Sequence, residues 1–366
     1  MKVRVEREAI LPLLNLVVGV VERRQTLPVL ANLLLHAADG KLTCTGTDME
    51  VELTGSVDAD IEMAGEITVP ARKLFDICRA LPDGSSIKFD LNDEKMSVAS
   101  GRSRFTLSTL PAAEFPSSEQ MDAVTEAQLD ETDLSELLGG TSFAMAHQDV
   151  RYYLNGLLLE FKDNMLRAVA TDGHRLALSD LVLEQAVVEA RQIIVPRKGV
   201  LELARLLSND ESKVSLALGR SHVRLQKGSM RLTSKLIDGR FPDYEAVIPV
   251  GNDKIVDVDR VQLRSALQRA AILSNEKYRG VRLELEPGKI KIIAHNPQQE
   301  EAVDEVEAEH GVSGLSMGFN VTYLLDALQS LESARVNLAL RDPNSSCLLT
   351  AADNPKHRHV IMPLKL

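Results

Sequence analysis

A threefold self-similarity at about one third of the chain's length constrains the fold more than any single motif. Three segments read alike: LANLLLHAADGKLTCTGTDMEVEL from Leu30, YLNGLLLEFKDNMLRAVATDGHRLAL from Tyr153 and YRGVRLELEPGKIKIIAHNPQQEEAV from Tyr278. Each is an apolar strand, a turn, a second alternating strand and a polar loop. The turn pairs Asp39-Gly40, Asp163-Asn164 and Pro287-Gly288 suit hairpins, because Gly and Asn tolerate positive φ. A second landmark follows each hairpin. PARKLFDICRAL from Pro70, PRKGVLELARLL from Pro196 and NVTYLLDALQSL from Asn320 predict amphipathic helices. Their apolar sets (Leu74, Ile77, Cys78, Leu81; Val200, Leu203, Ala204, Leu207; Val321, Leu324, Leu325, Leu328) share the spacing i, i+3, i+4, i+7. The starts at 70, 196 and 320 lie 126 and 124 residues apart, close to a third of 366.

Each repeat also opens with a helix. Ile10, Leu13, Leu14, Val17, Val18 and Val21 mark the first, and residues 131–146 the second, after the cap-like Asp130-Glu131-Thr132-Asp133. Leu263, Ala266, Leu267, Ala270 and Ala271 mark the third. Short alternating strands close each repeat at Ile87/Phe89/Leu91, Val214/Leu216/Leu218 and Val336/Leu338/Leu340. The expected architecture is α+β, three similar domains, each with two helices on β-sheets. Boundaries near the acidic stretch 117–130 and near Pro249-Val250-Gly251-Asn252 give domains 1–124, 125–249 and 250–366.

Composition narrows the function. A net charge of −11 counts against a protein that grips duplex DNA in an open groove, yet permits one that holds it topologically with bases inside and acids outside. The absence of Trp and an aromatic content of 4% argue against stacking platforms. Cys44, Cys78 and Cys347 are few, odd in number and far apart, as reduced thiols of a cytoplasmic protein would be. The start MKVRVEREAI has no apolar signal region, and no run approaches a membrane span.

No catalytic constellation emerges. Thr171-Asp172-Gly173-His174-Arg175 brings a His and an Asp together, but no nucleophile or metal partner accompanies them, so a polar structural or binding loop is expected. A hydrolase using His174 and Asp172 would need a deep pocket. His357-Arg358-His359 reads as a solvated strand in preference to a metal pair, there being no third ligand nearby. Neither GxxxxGK[ST] nor GxGxxG occurs. The run EEAVDEVEAE from Glu300 holds six carboxylates in ten residues and reads first as a solvated face. Basic residues gather at helix ends: Arg23-Arg24, Arg72-Lys73 and Arg197-Lys198, with Arg260, Arg264, Arg269, Lys277 and Arg279 in or after the third repeat's first helix. Arg260 and Arg264 share a face opposite the apolar stripe. Either these are ordinary solvated helix surfaces, or corresponding helices aim them at one axis as a weakly positive wall.

The repeat, taken with GRSRFTLSTLPAAEFP from Gly101, HQDVRYYLNG from His147, TDGHRLA from Thr171, VPRKGV from Val195, SKLIDGRFPDY from Ser234, ILSNEKYRGVRL from Ile272 and the ending VIMPLKL, resembles the bacterial β sliding clamps over essentially the whole chain. These are non-catalytic subunits of replicative DNA polymerases. The resemblance implies a homodimeric six-domain ring around duplex DNA, helices lining the hole and sheets outside, with no cofactor, no metal and no membrane partner. It implies partners that dock through linear motifs: replicative and translesion polymerases, the clamp loader, mismatch-repair and other maintenance proteins. The partner groove would be built, in its apolar part, from Leu154, Thr171, Gly173, His174, Arg175, Leu176, Pro242, Val247, Val360 and Met362. A second lobe would comprise Arg151, Tyr153, Asn320, Tyr323, Ser345, Ser346 and Leu364. DNA contacts would fall to Arg24, Arg72, Gln148, Tyr152 and Tyr153. The dimer would join Phe105 and Leu107 to Ile272 and Leu273, with Lys73, Arg102 and Arg104 facing Glu300 and Glu301, so the acidic run becomes partly interfacial. A repeat scaffold unconnected with DNA is the competing non-enzymatic reading; it would form no closed ring.

Overall fold

The structure, a computed structural model, describes residues 1–22, 27–116, 121, 123, 125–184, 190–208 and 212–365. Six α-helices occur among them: α1 Arg7–Val20, α2 Ala71–Ala80, α3 Glu131–Gly139, α4 Arg197–Leu206, α5 Arg260–Ala271 and α6 Val321–Gln329. Helices α2, α4 and α6 each follow directly on a strand and fall where the 3.6-residue stripe puts them. The predicted hairpins form at Asn32–Ala38 with Lys41–Thr47, Gly156–Lys162 with Met165–Thr171, and Gly280–Glu286 with Lys289–His295. Their turns use Asp39, Asp163 and Gly288 at φ of 52°, 53° and 83°.

The chain divides into two compact units, Met1–Thr132 with Lys198–Leu236, and Asp133–Arg197 with Ile237–Leu366. Sheet continuity explains why the central repeat is shared between them. In the first unit, the central repeat's strand Met230–Lys235 pairs with the first repeat's Val51–Asp58, Leu232 opposite Leu53. One antiparallel sheet of eight strands results, running from Thr125–Asp130 at one edge to Gly65–Pro70 at the other. In the second unit, the central repeat's Arg175–Val182 pairs with His357–Ile361 of the third, Leu176 opposite Val360. That sheet has twelve strands. Each junction covers strand edges that would otherwise offer unpaired amides and carbonyls.

In the first unit α1 lays Ile10, Leu13, Leu14, Val17 and Val18 onto the sheet. Contact is so close at Gly46 that a Cβ there would stand 2.8 Å from Val17 Cγ1. A second sheet of five strands ends on Ser103–Ser108, an edge strand in which only Leu107 is buried. In the second unit α5 and α6 bury Leu263, Leu267, Leu324 and Leu328 in a core that takes in Val281, Ile290, Phe319 and Val336. All three cysteines are buried free thiols, and burial lifts each to a pKa of about 12. Among the described residues no helix is long and apolar enough to cross a membrane.

Four expectations change. The helix expected over 131–146 stops at Gly139, where Gly139-Gly140 interrupts it, and a separate 3-10 turn spans Ser142–Ala144. Glu131, read as part of a cap, is fully buried and accepts from Lys227 Nζ at 2.7 Å and Ser212 Oγ at 2.7 Å. His357 and His359 are not solvated: their strand lies inside the twelve-stranded sheet, and they are 5% and 1% exposed. Arg260 and Arg264 do not form a free basic face. Arg260 donates to the carbonyls of Ser333 and Leu328 at 2.7 and 3.3 Å, and Arg264 to the Gln329 side chain, so both close the C-terminal end of α6.

Candidate functional site

The groove residues of the second unit are organised by the loop Thr171–Arg175. Asp172 Oδ1 accepts the backbone amides of His174 and Arg175 at 2.9 and 3.0 Å, and its Oδ2 takes Arg175 Nε at 3.1 Å. Thr171 Oγ1 donates to the Arg175 carbonyl at 2.6 Å and accepts from Gly173 N at 3.1 Å. Gly173 sits at φ 89°, in the left-handed region that favours glycine, with the movable Arg151 guanidinium beside it. Both oxygens of Asp172 are thus engaged in bracing the turn. A hydrolytic dyad would need that carboxylate to orient the His174 ring, and this engagement counts against it.

Arg175 is the fixed point of the site. Beyond Asp172, its guanidinium donates to Asp326 Oδ2 at 2.6 Å and to the Phe143 carbonyl at 2.8 Å. It also lies over the rings of Tyr323 at 4.6 Å and Phe143 at 5.4 Å. One side chain therefore ties the loop, α6 and the 142–144 turn together, and charged hydrogen bonds of this kind contribute about 1.5–3 kcal/mol each. Burial raises the Tyr323 phenol pKa, with Asp172 and Asp326 adding to it.

The apolar floor comprises Leu154, Leu176 and Val360, at 2%, 3% and 2% exposure, packed with Phe241 and Tyr244. Pro242 and Val247 stand between the anchors Phe241, Tyr244 and Ile248 and remain exposed, Val247 by 40%. Met362, 38% exposed, is held at the rim by its amide, which donates to the His174 carbonyl at 3.1 Å. His174 itself is exposed. The floor, the loop and the rim supply a shallow apolar surface with convergent polar groups, the form suited to a short peptide.

Second-lobe residues also make hydrogen bonds within the fold. Asn320 caps α6, its Oδ1 accepting Thr322 N at 2.9 Å, and Ser345 Oγ donates to Asp342 Oδ2 at 2.6 Å. The Ser346 carbonyl accepts from Asn252 Nδ2 at 2.9 Å, and Leu364 N donates to the Gly318 carbonyl at 2.8 Å. Arg151 is exposed and pairs with Asp149 at 2.8 Å, which holds that carboxyl down at about 2. Tyr153 packs on the floor while Tyr152, 56% exposed, meets it edge-on at 5.7 Å. Gln148 is exposed at φ 57° in the same loop. Asp326, Phe143 and Asp149 were not singled out from sequence. The signal for Asp326 was the one charged residue of its helix, three positions after Tyr323.

Arg24 lies outside the described residues. Arg72, exposed in the first turn of α2, donates to the Val21 carbonyl at 3.2 Å. Of the interface residues, Ile272 is 77% exposed and Phe105 37%, whereas Leu107 is already buried at 6% within its own unit. Lys73, Arg102 and Arg104 are exposed, as are Glu300 and Glu301. Arg104 donates to the carbonyls of Gly101 and Ser103, both at 2.9 Å, and Glu301 stands 3.5 Å from His295. Among the described residues no group of three or more His, Cys, Asp or Glu side chains is placed to hold a metal ion.

Family models and relatives match this architecture end to end. The N-terminal, central and C-terminal domain models of the DNA polymerase III beta subunit match residues 1–119, 128–243 and 245–365. A beta sliding clamp of Pseudomonas putida is 54% identical over 363 residues, 99% of either chain. That of Escherichia coli is 46% identical over 367 residues, the whole of both. Among solved structures, a DNA polymerase III subunit beta from Pseudomonas aeruginosa superposes with a TM-score of 0.96 at 52% identity, covering 100% of each chain. A Pseudomonas aeruginosa sliding clamp bound to griselimycin gives 0.97 at 53% identity, with the same coverage. Three domain models in order, and relatives this similar over their full length, leave one assignment: the chain belongs to the DNA polymerase III beta subunit family, the beta sliding clamps.

Proposed function

We propose that this chain is a processivity clamp: two copies close head to tail into a ring around duplex DNA and tether partner proteins through the groove of the second unit. The observation that carries this reading is a pair of open strand edges of complementary character. Ser103–Ser108 ends the five-stranded sheet, carries the exposed Arg104 and follows the exposed Arg102. Strand Glu301–Glu309 pairs with Lys289–His295 along Glu301–Glu307, but with Lys254–Asp259 only at Ala308 and Glu309. Among the described residues, the other edge of its acidic first half has no strand beside it. An edge of one copy against the acidic edge of the other satisfies both, twice per dimer, and closes a ring. Exposed ion pairs contribute little, so Ile272 and Phe105 supply the apolar centre of the contact.

The chain performs no chemistry; partner polymerases, the clamp loader and repair proteins supply it. Their linear motifs place aliphatic and aromatic anchors on the floor at Leu154, Leu176 and Val360, and a Gln in the second lobe beside Tyr323 and Leu364. Arg24, Arg72, Gln148, Tyr152 and Tyr153 touch DNA without reading sequence. The domains are 1–124, 125–249 and 250–366, and the ring works in the cytoplasm. The test is retention. Loaded protein should stay on a closed DNA circle through gel filtration and leave within minutes of a single cut. Retention that ignores the cut would contradict the topological mechanism.

A further inference from the structure

The twelve-stranded sheet carries a depression on its outer face that the groove does not include. Along Gly280–Glu286, Lys289–His295 and Leu315–Asn320, alternation sends Val281, Leu283, Ile290, Ile292, Met317 and Phe319 into the core. Arg282, Ile293 and Gly318 then share the outer face and stand in one row across the three strands. Gly318 and Gly280 put no side chain there. The row opens into a cavity of about 450 Å³ lined by Tyr278, Arg282, Ile293, His295, Leu364 and Lys365. Its apolar content is out of place on a face where alternation prescribes polar residues. Tyr278 is 55% exposed, and Val303, opposite Ile293 on the neighbouring strand, is 51% exposed.

We infer that this cavity is a third lobe of the partner site, taking the residues that directly precede the motif's Gln, an apolar side chain beside a carboxylate. The inference rests on the groove reading above. Two observations select the occupant. Leu364 belongs to both the second lobe and the cavity wall, and its amide is pinned to the Gly318 carbonyl at 2.8 Å. With anchors on the floor and Gln in the second lobe, a peptide continued in the N-terminal direction passes over Leu364 into the cavity. The rim carries two weakly satisfied cations: Arg282 meets Glu284 only at 3.8 Å, and Lys365 is exposed. An incoming carboxylate gains a guanidinium at the edge of an apolar recess.

The test uses two synthetic peptides on the full-length dimer, by fluorescence anisotropy. One carries the Gln and its anchors alone; the other is preceded by Leu-Asp-Glu. The extended peptide should bind about tenfold tighter, one well-filled contact's worth. Arg282→Glu and, separately, Lys365→Glu should reduce that advantage to less than threefold and leave the short peptide's affinity unchanged. Both side chains are surface groups, so folding is not at stake. Equal affinities for the two peptides on the unaltered protein would overturn the third lobe and leave the groove standing. Failure of both peptides to bind would overturn the groove and the lobe together. A loss of dimer mass in Arg282→Glu would assign the cavity to the second copy instead.

Discussion

Acid should loosen this protein through His359, and the size of the effect follows from its surroundings. The imidazole is 1% exposed, packed 5.6 Å from the Phe143 ring. Ser330 donates its own proton to the Ala327 carbonyl at 2.8 Å, so at 3.1 Å it accepts from His359 Nε2–H. The proton of an imidazolium would therefore have to go on Nδ1, which is buried and has no hydrogen-bond partner among the described residues. The neighbours His357 and Arg175 both disfavour a positive charge on this ring. Glu136, the carboxylate bonded to the neighbouring His357, is occupied by Lys356 at 2.6 Å and His357 at 3.1 Å. Burial first, and the neighbouring His357 and Arg175 after it, push His359 down to about 3.

A depressed His pKa means that the unfolded chain binds the extra proton and the folded one does not. Stability from this residue is complete above pH 6.5 and falls as pH drops from there toward 3. At pH 5, about 1.5 units below the unfolded value, the loss is roughly 2 kcal/mol. His359→Gln keeps a donor near Ser330 and removes the titration. Urea unfolding of both proteins at pH 7.5, 6 and 5 isolates the term, because other carboxylates cancel in the difference. The stability gap between wild type and variant should shrink by about 2 kcal/mol from pH 7.5 to pH 5. Parallel profiles over that range would mean that the folded protein protonates His359 freely, and the tautomer argument would fail.

Two further outcomes test the assembly and the groove. Replacing Ile272 and Leu273 by Asp should convert the dimer to monomer at micromolar concentration, read by light scattering; an unchanged mass would remove the proposed interface. Deleting residues 362–366 should weaken motif-peptide binding by roughly thirtyfold, about 2 kcal/mol, in calorimetric titration. The melting temperature should fall only slightly, since the strand His357–Ile361 remains and the lost backbone hydrogen bonds of Met362 and Leu364 are worth about 1 kcal/mol each.

What could be read from the sequence is what local periodicity encodes. The stripes of α2, α4 and α6 and the three hairpins follow from side-chain spacing alone, so they fell into place. The sharing of the central repeat between two sheets did not, because Leu232 opposite Leu53 and Leu176 opposite Val360 are pairings between distant segments with no local signature. His357 and His359 were misread for a related reason. Imidazoles on a short strand look solvated until the strand is known to be flanked on both sides, and only the following Val360-Ile361 hinted at burial. In the groove, residue identities came from family resemblance, while the roles of Asp172, Asp326 and Phe143 around Arg175 needed coordinates, since three separated segments converge there.

The charge balance that first argued against DNA binding becomes intelligible once the helix-end cations are followed to their partners. Lys198 donates to the Val20 carbonyl at 3.1 Å and pairs with Glu22 and Asp48, Arg72 donates to Val21, and Arg205 to the Asn15 carbonyl at 2.9 Å. Arg260 does the same at the end of α6. Each meets carbonyls in or just beyond a helix's last turns, where the macrodipole is negative, so much of its positive potential is spent inside the fold. A protein that must travel along duplex DNA benefits from this: strong phosphate neutralisation would brake it, while closure alone can retain it. The counterion-release slope measures the difference. Six to ten phosphate contacts would give a slope of log K against log salt of about −5 to −9, whereas two or three would give about −2 to −3. Direct binding of the unloaded dimer to short duplexes should show the shallow slope, and Arg72→Ala with Gln148→Ala should flatten it by about one. Rings already closed on a circle should be lost no faster in that variant than in wild type. A steep slope, or rapid escape of variant rings from uncut circles, would mean that the protein grips the backbone, and the topological account would have to be abandoned.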